Sequence, residues 1–530
     1  MRIYTPITTA APLIAGCAIA LCAAIPARAD QPFLLPNSLV ISSSTYDRTQ
    51  GAVASLTSGV TQLANTKTAT VAAIADNTYP NVWANDTVDG SFGVTSGIRL
   101  TDIEPNSGHV FNSVLVPTDQ VVTSFSSKSE LALHITGKGH AAHLVLVGYA
   151  SPGVGALDVS NADSVAGQDP TNPVSFAFGT DHAFKRTIIS VDRGGNFAYT
   201  PTINYGGNNG RAGLLGSNGL YYTVGNANNG DATAFGTANN GTDPDVTQTT
   251  GLEVVTPIDA ASASAVIPSG NSAEVNPLLQ YGLGKKGAAD KPGKDNNFRG
   301  ITEYNGALYM TKGSGSNGVQ TVYTVVNSPQ SPTGFIPAPG NTGPAAGNVL
   351  PTVANAGQQA VVILNGFPTD SARDTGGNYT PFALFFADAN TLYVSDEGSG
   401  NATDASQHAG LEKWSLVNGR WQLDYVLTKG LIGVVDSNLF GFDGQYPDVT
   451  TVGLRNLAGR VNADGTVTLW ATTSTSSASG DNGADPNKVV TITDQLGATS
   501  LTGSVAGETF TTVAGPTYAT VYRGVAYVSN

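Results

Sequence analysis

The chain has 530 residues, with 25 Lys and Arg against 39 Asp and Glu and a formal net charge of −14. That balance argues against sequence-independent binding to nucleic acid or to an anionic membrane. Its two cysteines, Cys17 and Cys22, both lie near the start, so the chain beyond them has no disulfide, thiolate metal site or cysteine nucleophile.

Residues 1–29 read as an export signal. Met1-Arg2 gives a positive start, residues 10–25 are apolar, and Ala27-Arg28-Ala29 has the small-x-small form of a cleavage site. The segment is short for a membrane anchor and is interrupted by Pro12 and Pro26. Lipid attachment at Cys17 needs the apolar run ahead of the cysteine, and much of it follows. The expected product is residues 30–530, a single monomeric domain, secreted or periplasmic, with no transmembrane segment after processing.

Further along, short β-rich runs alternate with Gly, Asn and Asp turns. Leu39-Val40-Ile41-Ser42 stands alone, followed by runs at residues 98–101 and 110–114. A two-run unit then recurs. Glu130-Leu131-Ala132-Leu133 precedes Leu144-Val145-Leu146-Val147, and Gly210-Arg211-Ala212-Gly213 precedes Leu220-Tyr221-Tyr222-Thr223. Phe298-Arg299-Gly300-Ile301 precedes Leu308-Tyr309-Met310-Thr311, and Pro381-Phe382-Ala383-Leu384 precedes Leu392-Tyr393-Val394-Ser395. Leu454-Arg455-Asn456-Leu457 precedes Leu469-Trp470-Ala471-Thr472, and Tyr522-Arg523-Gly524-Val525 closes the series.

If the two runs are called a and b, further runs c and d follow at 251–255 and 278–281, 321–325 and 361–364, 411–416 and 421–426, and 488–492 and 510–513. A four-strand β unit repeating about every eighty residues is the signature of a β-propeller. The expected fold is all-β, a six-bladed propeller in which the C-terminal strand completes the N-terminal blade, so that no sheet edge stays open. Seven blades would require splitting residues 47–94.

The a–b turns are tight (Asn218-Gly219, Asn305-Gly306, Asp464-Gly465), whereas most b–c connections are long. Extra length is thus concentrated on one face, where binding usually resides. Arg211, Arg299, Arg455 and Arg523 enter strand a from that face. They are candidates to hold a carboxylate or phosphate by bidentate contacts. A repeated residue is also what a structural tie between blades needs, through carbonyls or a carboxylate such as Asp396 or Glu397.

Asp396-Glu397, with Asp404 and His408 beyond, offers carboxylates near a histidine for acid/base or metal chemistry. Glu130 and Glu303 join Asp396 and Glu397 as metal-ligand candidates, and a divalent ion such as calcium is the cofactor to test for. The Asp-Pro pairs at 169–170, 243–244 and 485–486 fit turn starters better than a calcium loop. His134, His140 and His143 straddle a tight turn with no glutamate between them, unlike a ligand cluster. Gly313-Ser314-Gly315-Ser316-Asn317-Gly318 matches a dinucleotide fingerprint, but a strand follows it rather than a helix.

Phe298-Arg299-Gly300, Tyr309-Met310-Thr311-Lys312-Gly313, Leu392-Tyr393-Val394-Ser395-Asp396-Glu397-Gly398 and Gly453-Leu454-Arg455-Asn456-Leu457-Ala458-Gly459 together resemble a family of exported bacterial proteins of no established activity. More loosely, the unit is similar to an NHL- or YVTN-type blade. The resemblance implies a propeller and supplies no catalytic residues. Three readings follow. The first is an exported propeller that binds a small molecule, glycan, peptide or envelope material through its loop-rich face. The second is a metal-dependent hydrolase or lyase with its site at the central channel, and the third is a structural surface protein. No nucleic-acid partner is expected.

Overall fold

A computed structural model describes residues 32–66, 69–87, 92–127, 129–138, 141–157, 159–161, 184–202, 204–205, 208–226, 251–258, 275–277, 297–315, 318–327, 343–352, 359–370, 379–399, 408–435, 448–476 and 483–530. Among them the regular structure is β-strand with a few 3-10 turns. Six small sheets form a ring, a six-bladed β-propeller.

Blade 1 takes its inner strand from the C-terminal end. Thr520–Tyr527 pairs antiparallel with Leu39–Thr45, which pairs with Ile98–Ile103, which pairs with Val110–Leu115. Blade 3 runs Gly210–Leu215, Tyr221–Gly225, Gly251–Val255 and Val275–Pro277, and blade 4 runs Ile301–Tyr304, Ala307–Lys312, Thr321–Asn327 and Gln359–Ile363. In blade 5 the strands are Pro381–Asp388, Thr391–Asp396, Gly410–Val417 and Arg420–Leu427. Blade 6 has Val449–Val461, Thr466–Thr475, Val489–Gln495 and Thr511–Ala514, with Gly433–Val435 added on its inner edge. At Asn305-Gly306 and Asn418-Gly419 both residues have positive φ (49° and 70°, 53° and 76°). That is the turn whose twist matches a hairpin.

Two details differ from the sequence reading, and a third bears on its seven-blade alternative. In blade 2 the inner strand is split: Val121–Ser124 and His134–Thr136 pair with opposite ends of His143–Ala150, which continues into Arg186–Asp192 and Phe197–Thr202. Residues 130–133 therefore lie in the gap, turned by Leu131 at φ 62°. The fourth strand of blade 3 is Val275–Pro277, and residues 278–281 lie outside the described residues. The long segment after strand b of blade 1 makes no seventh blade. It forms the hairpin Gln62–Thr66/Ala69–Ala72 and the 3-10 turn Asn81–Thr87.

Apolar side chains fill the joints. Leu39, Ile41 and Val525 of blade 1 pack with Ala458, Trp470 and Val489 of blade 6, and Tyr393 and Leu411 of blade 5 pack with Leu454, Leu469 and Ile492. Each such side chain is worth about 1.5–3 kcal/mol of burial.

A hydroxyl rivet repeats at the inner edge. Ser42, Thr311, Ser395 and Thr472, near the end of strand b in four blades, each accept an N–H from their own inner strand: Gly524 at 2.7 Å, Gly300 at 2.9 Å, Ala383 at 3.0 Å and Asn456 at 3.2 Å. Each donates to a carbonyl of the next blade, Leu131, Phe382, Arg455 and Arg523 respectively. The blades approach so closely here that a Cβ on Gly300 or Gly524 would lie 2.3 Å from that carbonyl. Thr311→Val keeps the shape and orphans two buried groups at about 1–3 kcal/mol each. A loss of about 2 kcal/mol or more in urea unfolding is expected.

Candidate functional site: an arginine collar on the propeller axis

The rivet position also fixes the arginines. Arg211, Arg455 and Arg523 sit at or beside a register shift of strand a, and Arg299 lies just ahead of its strand, where it and Gly300 both bond the Thr311 backbone. This is the end where the ring receives its long connections, and Leu131 and Phe382 hold the place in blades 2 and 5. The four are 7%, 2%, 2% and 2% exposed.

Each guanidinium ties blades together. Arg211 Nη1 donates to Asn297 Oδ1 and, at 3.2 Å, to Phe298 O at the start of blade 4. Arg299 forms an ion pair with Glu397 of blade 5, and Arg455 Nε lies 3.5 Å from Oε2 of the same glutamate. Arg523 Nη2 donates to Phe125 O of blade 2. A structural tie is thus one role of the repeat. It leaves Arg211 Nε and Arg299 Nε buried without a hydrogen-bond partner. Burial, with the charge of Arg299 second, pushes the pKa of Arg211 down to about 9.

Glu130, in the gap of blade 2, is saturated. Its Oε2 accepts from Thr123 Oγ1 (2.6 Å) and Ser124 N (3.1 Å), and its Oε1 accepts from Tyr149 OH and from Asn209 Nδ2 (2.6 Å). Asp396 turns away from Glu397. It accepts from Thr380 N (2.7 Å), Thr380 Oγ1 (2.5 Å) and Gly398 N (2.8 Å). Burial and the charge of Glu412 raise its pKa to about 7.

Glu303 lies at the other end of its strand, beside the Asn305-Gly306 turn. It accepts from Ser217 N (2.9 Å) and Ser217 Oγ (2.5 Å). The four metal-ligand candidates are therefore spread over separate networks. Among the described residues no three His, Cys, Asp or Glu side chains form a group able to hold a metal ion.

Blade 5 carries a second polar cluster that the sequence reading only half saw. Glu412 accepts from Tyr379 OH (3.1 Å) and Trp414 Nε1 (2.8 Å), and His408 Nδ1 lies 2.5 Å from its other oxygen. Burial lowers the His408 pKa, but the hydrogen bond and charge of Glu412 outweigh it, and the net shift is upward. Asp404 lies outside the described residues, as do His140, the 169–170 and 243–244 pairs and much of the long b–c connections. Asp485-Pro486-Asn487 is a structural turn: Asp485 accepts from Thr475 Oγ1, and Asn487 bonds Thr473 O and both the N–H and the carbonyl of Tyr522. His134 is half-buried, and desolvation pushes its pKa down to about 4, so it is neutral packing.

The segment inserted in blade 1 packs beside Arg523. Trp83 meets Tyr46 (4.8 Å) and Tyr79 (5.5 Å) edge to face and Phe125 (5.0 Å) at a tilt, and the Tyr79 hydroxyl donates to Ala484 O of blade 6. It caps blades 1, 2 and 6, while Arg211 and Arg299 belong to blades 3 and 4.

No family model matches the chain, and no curated protein matches it. Among solved structures, a glycoside hydrolase family 43 arabinoxylan arabinofuranohydrolase from Bacillus subtilis, in complex with cellotetraose, aligns at 12% identity and a TM-score of 0.22. The alignment covers 84% of this chain and 98% of that one. A likeness at that level transfers neither family nor activity. No helix among the described residues is long and apolar enough to cross a membrane.

Proposed function

We propose that the protein is an exported binding propeller that takes one anionic group, a carboxylate or phosphate of a small ligand, between Arg211 and Arg299. The observation that carries this reading is the pair of Nε donors, on two buried guanidinium groups, that have no hydrogen-bond partner among the described residues, with the charge of Arg299 adding to the burial that depresses Arg211. Among the described residues the charge of Arg299 acts on Arg211 more strongly than that of either Glu130 or Glu397, so a positive excess prevails at this point. An anion relieves that excess, and buried charge-assisted hydrogen bonds to arginine are strong ones. Because the two arginines are 7% and 2% exposed, only the anionic group itself enters, and the body of the ligand lies among the long connections.

The test is calorimetric titration with phosphate, acetate and glucuronate, backed by thermal melting in a buffer free of small anions. Binding that raises the melting temperature and is lost in Arg211→Met supports the proposal. If no anion binds or stabilises up to the solubility limit, the collar is a structural tie alone.

A further inference from the structure

Blades 3 and 5 begin their third strands with the same three residues, Gly251-Leu252-Glu253 and Gly410-Leu411-Glu412. The register is shared: Glu253 pairs with Thr223 and Glu412 with Val394, one step before the rivet position in each blade. Glu412 is held by Tyr379, Trp414 and His408. Glu253 is fully buried, and neither of its carboxylate oxygens has a hydrogen-bond partner.

Two changes in sequence account for the difference. Val255 stands where blade 5 has Trp414, removing one donor. The tyrosine that precedes the inner strand, Tyr205, turns its hydroxyl to Thr223 Oγ1 (3.0 Å) and Gly251 O (3.0 Å) instead of to the glutamate. What remains beside Glu253 is oxygen: the Thr223 hydroxyl on the facing residue, the Tyr205 hydroxyl bonded to it, and the Gly251 carbonyl. The carboxyl and the Tyr205 hydroxyl sense one another, since the charge of Glu253 adds to the burial that raises the tyrosine pKa. Among the described residues only burial accounts for the upward shift of Glu253, while the charge of Arg211 also reaches the Tyr205 hydroxyl. A bare carboxylate in such surroundings costs several kcal/mol, so either a proton or a bound cation neutralises it.

We propose that Glu253 anchors a monovalent alkali cation, K⁺ or Na⁺, shared with the oxygens of Thr223, Tyr205 and Gly251. Hard cations take oxygen ligands. One carboxylate among neutral oxygens balances a single positive charge, whereas a divalent ion leaves a buried excess. The competing occupant is a proton on Glu253, and the experiment separates the two.

The full chain is melted in equal concentrations of potassium, sodium or choline chloride, so that the anion is constant. A melting temperature at least a few degrees higher in potassium or sodium than in choline is expected, and Glu253→Gln should abolish the difference. Arg299→Met, which breaks the proposed anion site from the neighbouring blade, should keep it, so the outcome does not depend on the arginine collar. Equal melting in all three salts, with Glu253→Gln as stable as the parent, overturns the proposal in favour of a protonated acid. If the glutamine variant does not fold, a rubidium-soaked crystal of the parent decides. An anomalous peak beside Glu253 supports the site, and its absence removes it.

Discussion

Glu397→Gln is expected to destabilise the protein by roughly 3–5 kcal/mol, the usual consequence of removing one partner from a buried ion pair. The substitution keeps size and shape and removes only charge. It would leave Arg299 and Arg455, each 2% exposed, without the one carboxylate that meets both. Glu397 also holds strand b of blade 5 in place, with its N–H donating to Thr380 O and its carbonyl accepting from Ser474 Oγ of blade 6. Those backbone contacts survive in the variant, so the measured loss isolates the charge. Urea unfolding monitored by tryptophan fluorescence gives the number. The double variant Glu397→Gln/Arg299→Met should recover part of it, because the guanidinium that pairs with Glu397 most closely is then gone. A loss below about 1 kcal/mol would mean that the triad is solvated like a surface pair.

The ring of blades was legible because each depends on local pattern: an arginine run, a tight turn, a Leu-Tyr run. Closure by the last strand was legible because an orphan b strand at one end and an orphan a strand at the other leave a single economical pairing. The split inner strand of blade 2 was not. Leu131 at φ 62° interrupts an otherwise β-like run, and nothing in Glu130-Leu131-Ala132-Leu133 signals a left-handed backbone.

Of the candidate site, the arginines and Glu397 were named from their repeat and their neighbourhood, and the structure places Arg299 and Arg455 against Glu397. Glu130 was found without its role, since three of its donors come from Thr123, Tyr149 and Asn209, and Asn209 lies in the next blade. Glu303, named with the others as a candidate metal ligand, sits apart from them on Ser217. It lies four residues beyond Arg299, and at about 3.3 Å per residue that is the far side of the sheet. The rivet hydroxyls were visible as the Ser or Thr closing each Leu-x-x-Ser/Thr run. Their meaning required knowing that the residue meets a bulge in the next blade. Glu412 and Glu253 had a signal, the repeated Gly-Leu-Glu, that the arginines overshadowed.

The collar and its surroundings also set how stability depends on pH. Burial raises Asp102 to about 6, and burial with the charge of Glu412 raises Asp396 to about 7. Both folded values lie above the ordinary carboxylate value of 3.8, so between about pH 4 and 7 the folded chain binds more protons than the unfolded one. Stability then falls as pH rises, by at most about 1.4 kcal/mol per pH unit for each group. His408 acts in the same sense. Its net shift is upward through Glu412, so its contribution is present at low pH and is lost as pH climbs through the folded value. The depressed carboxyls, Asp47, Asp76 and Asp192, oppose this only as pH falls below about 4, where their hydrogen bonds to Thr49, Thr78 and Asn196 are lost. The expected profile is a maximum near pH 4–5 and a steady decline to neutrality, unlike the common maximum between pH 5 and 8. Urea unfolding at half-unit steps from pH 4.5 to 8 measures it. Asp102→Asn should flatten the limb below pH 6 and Asp396→Asn the limb up to pH 7, each without shifting the other. A stability that is flat or rising across this interval would show that both buried carboxyls are ionised in the folded protein, and the positive excess at the collar would then be smaller by the charge of Asp396.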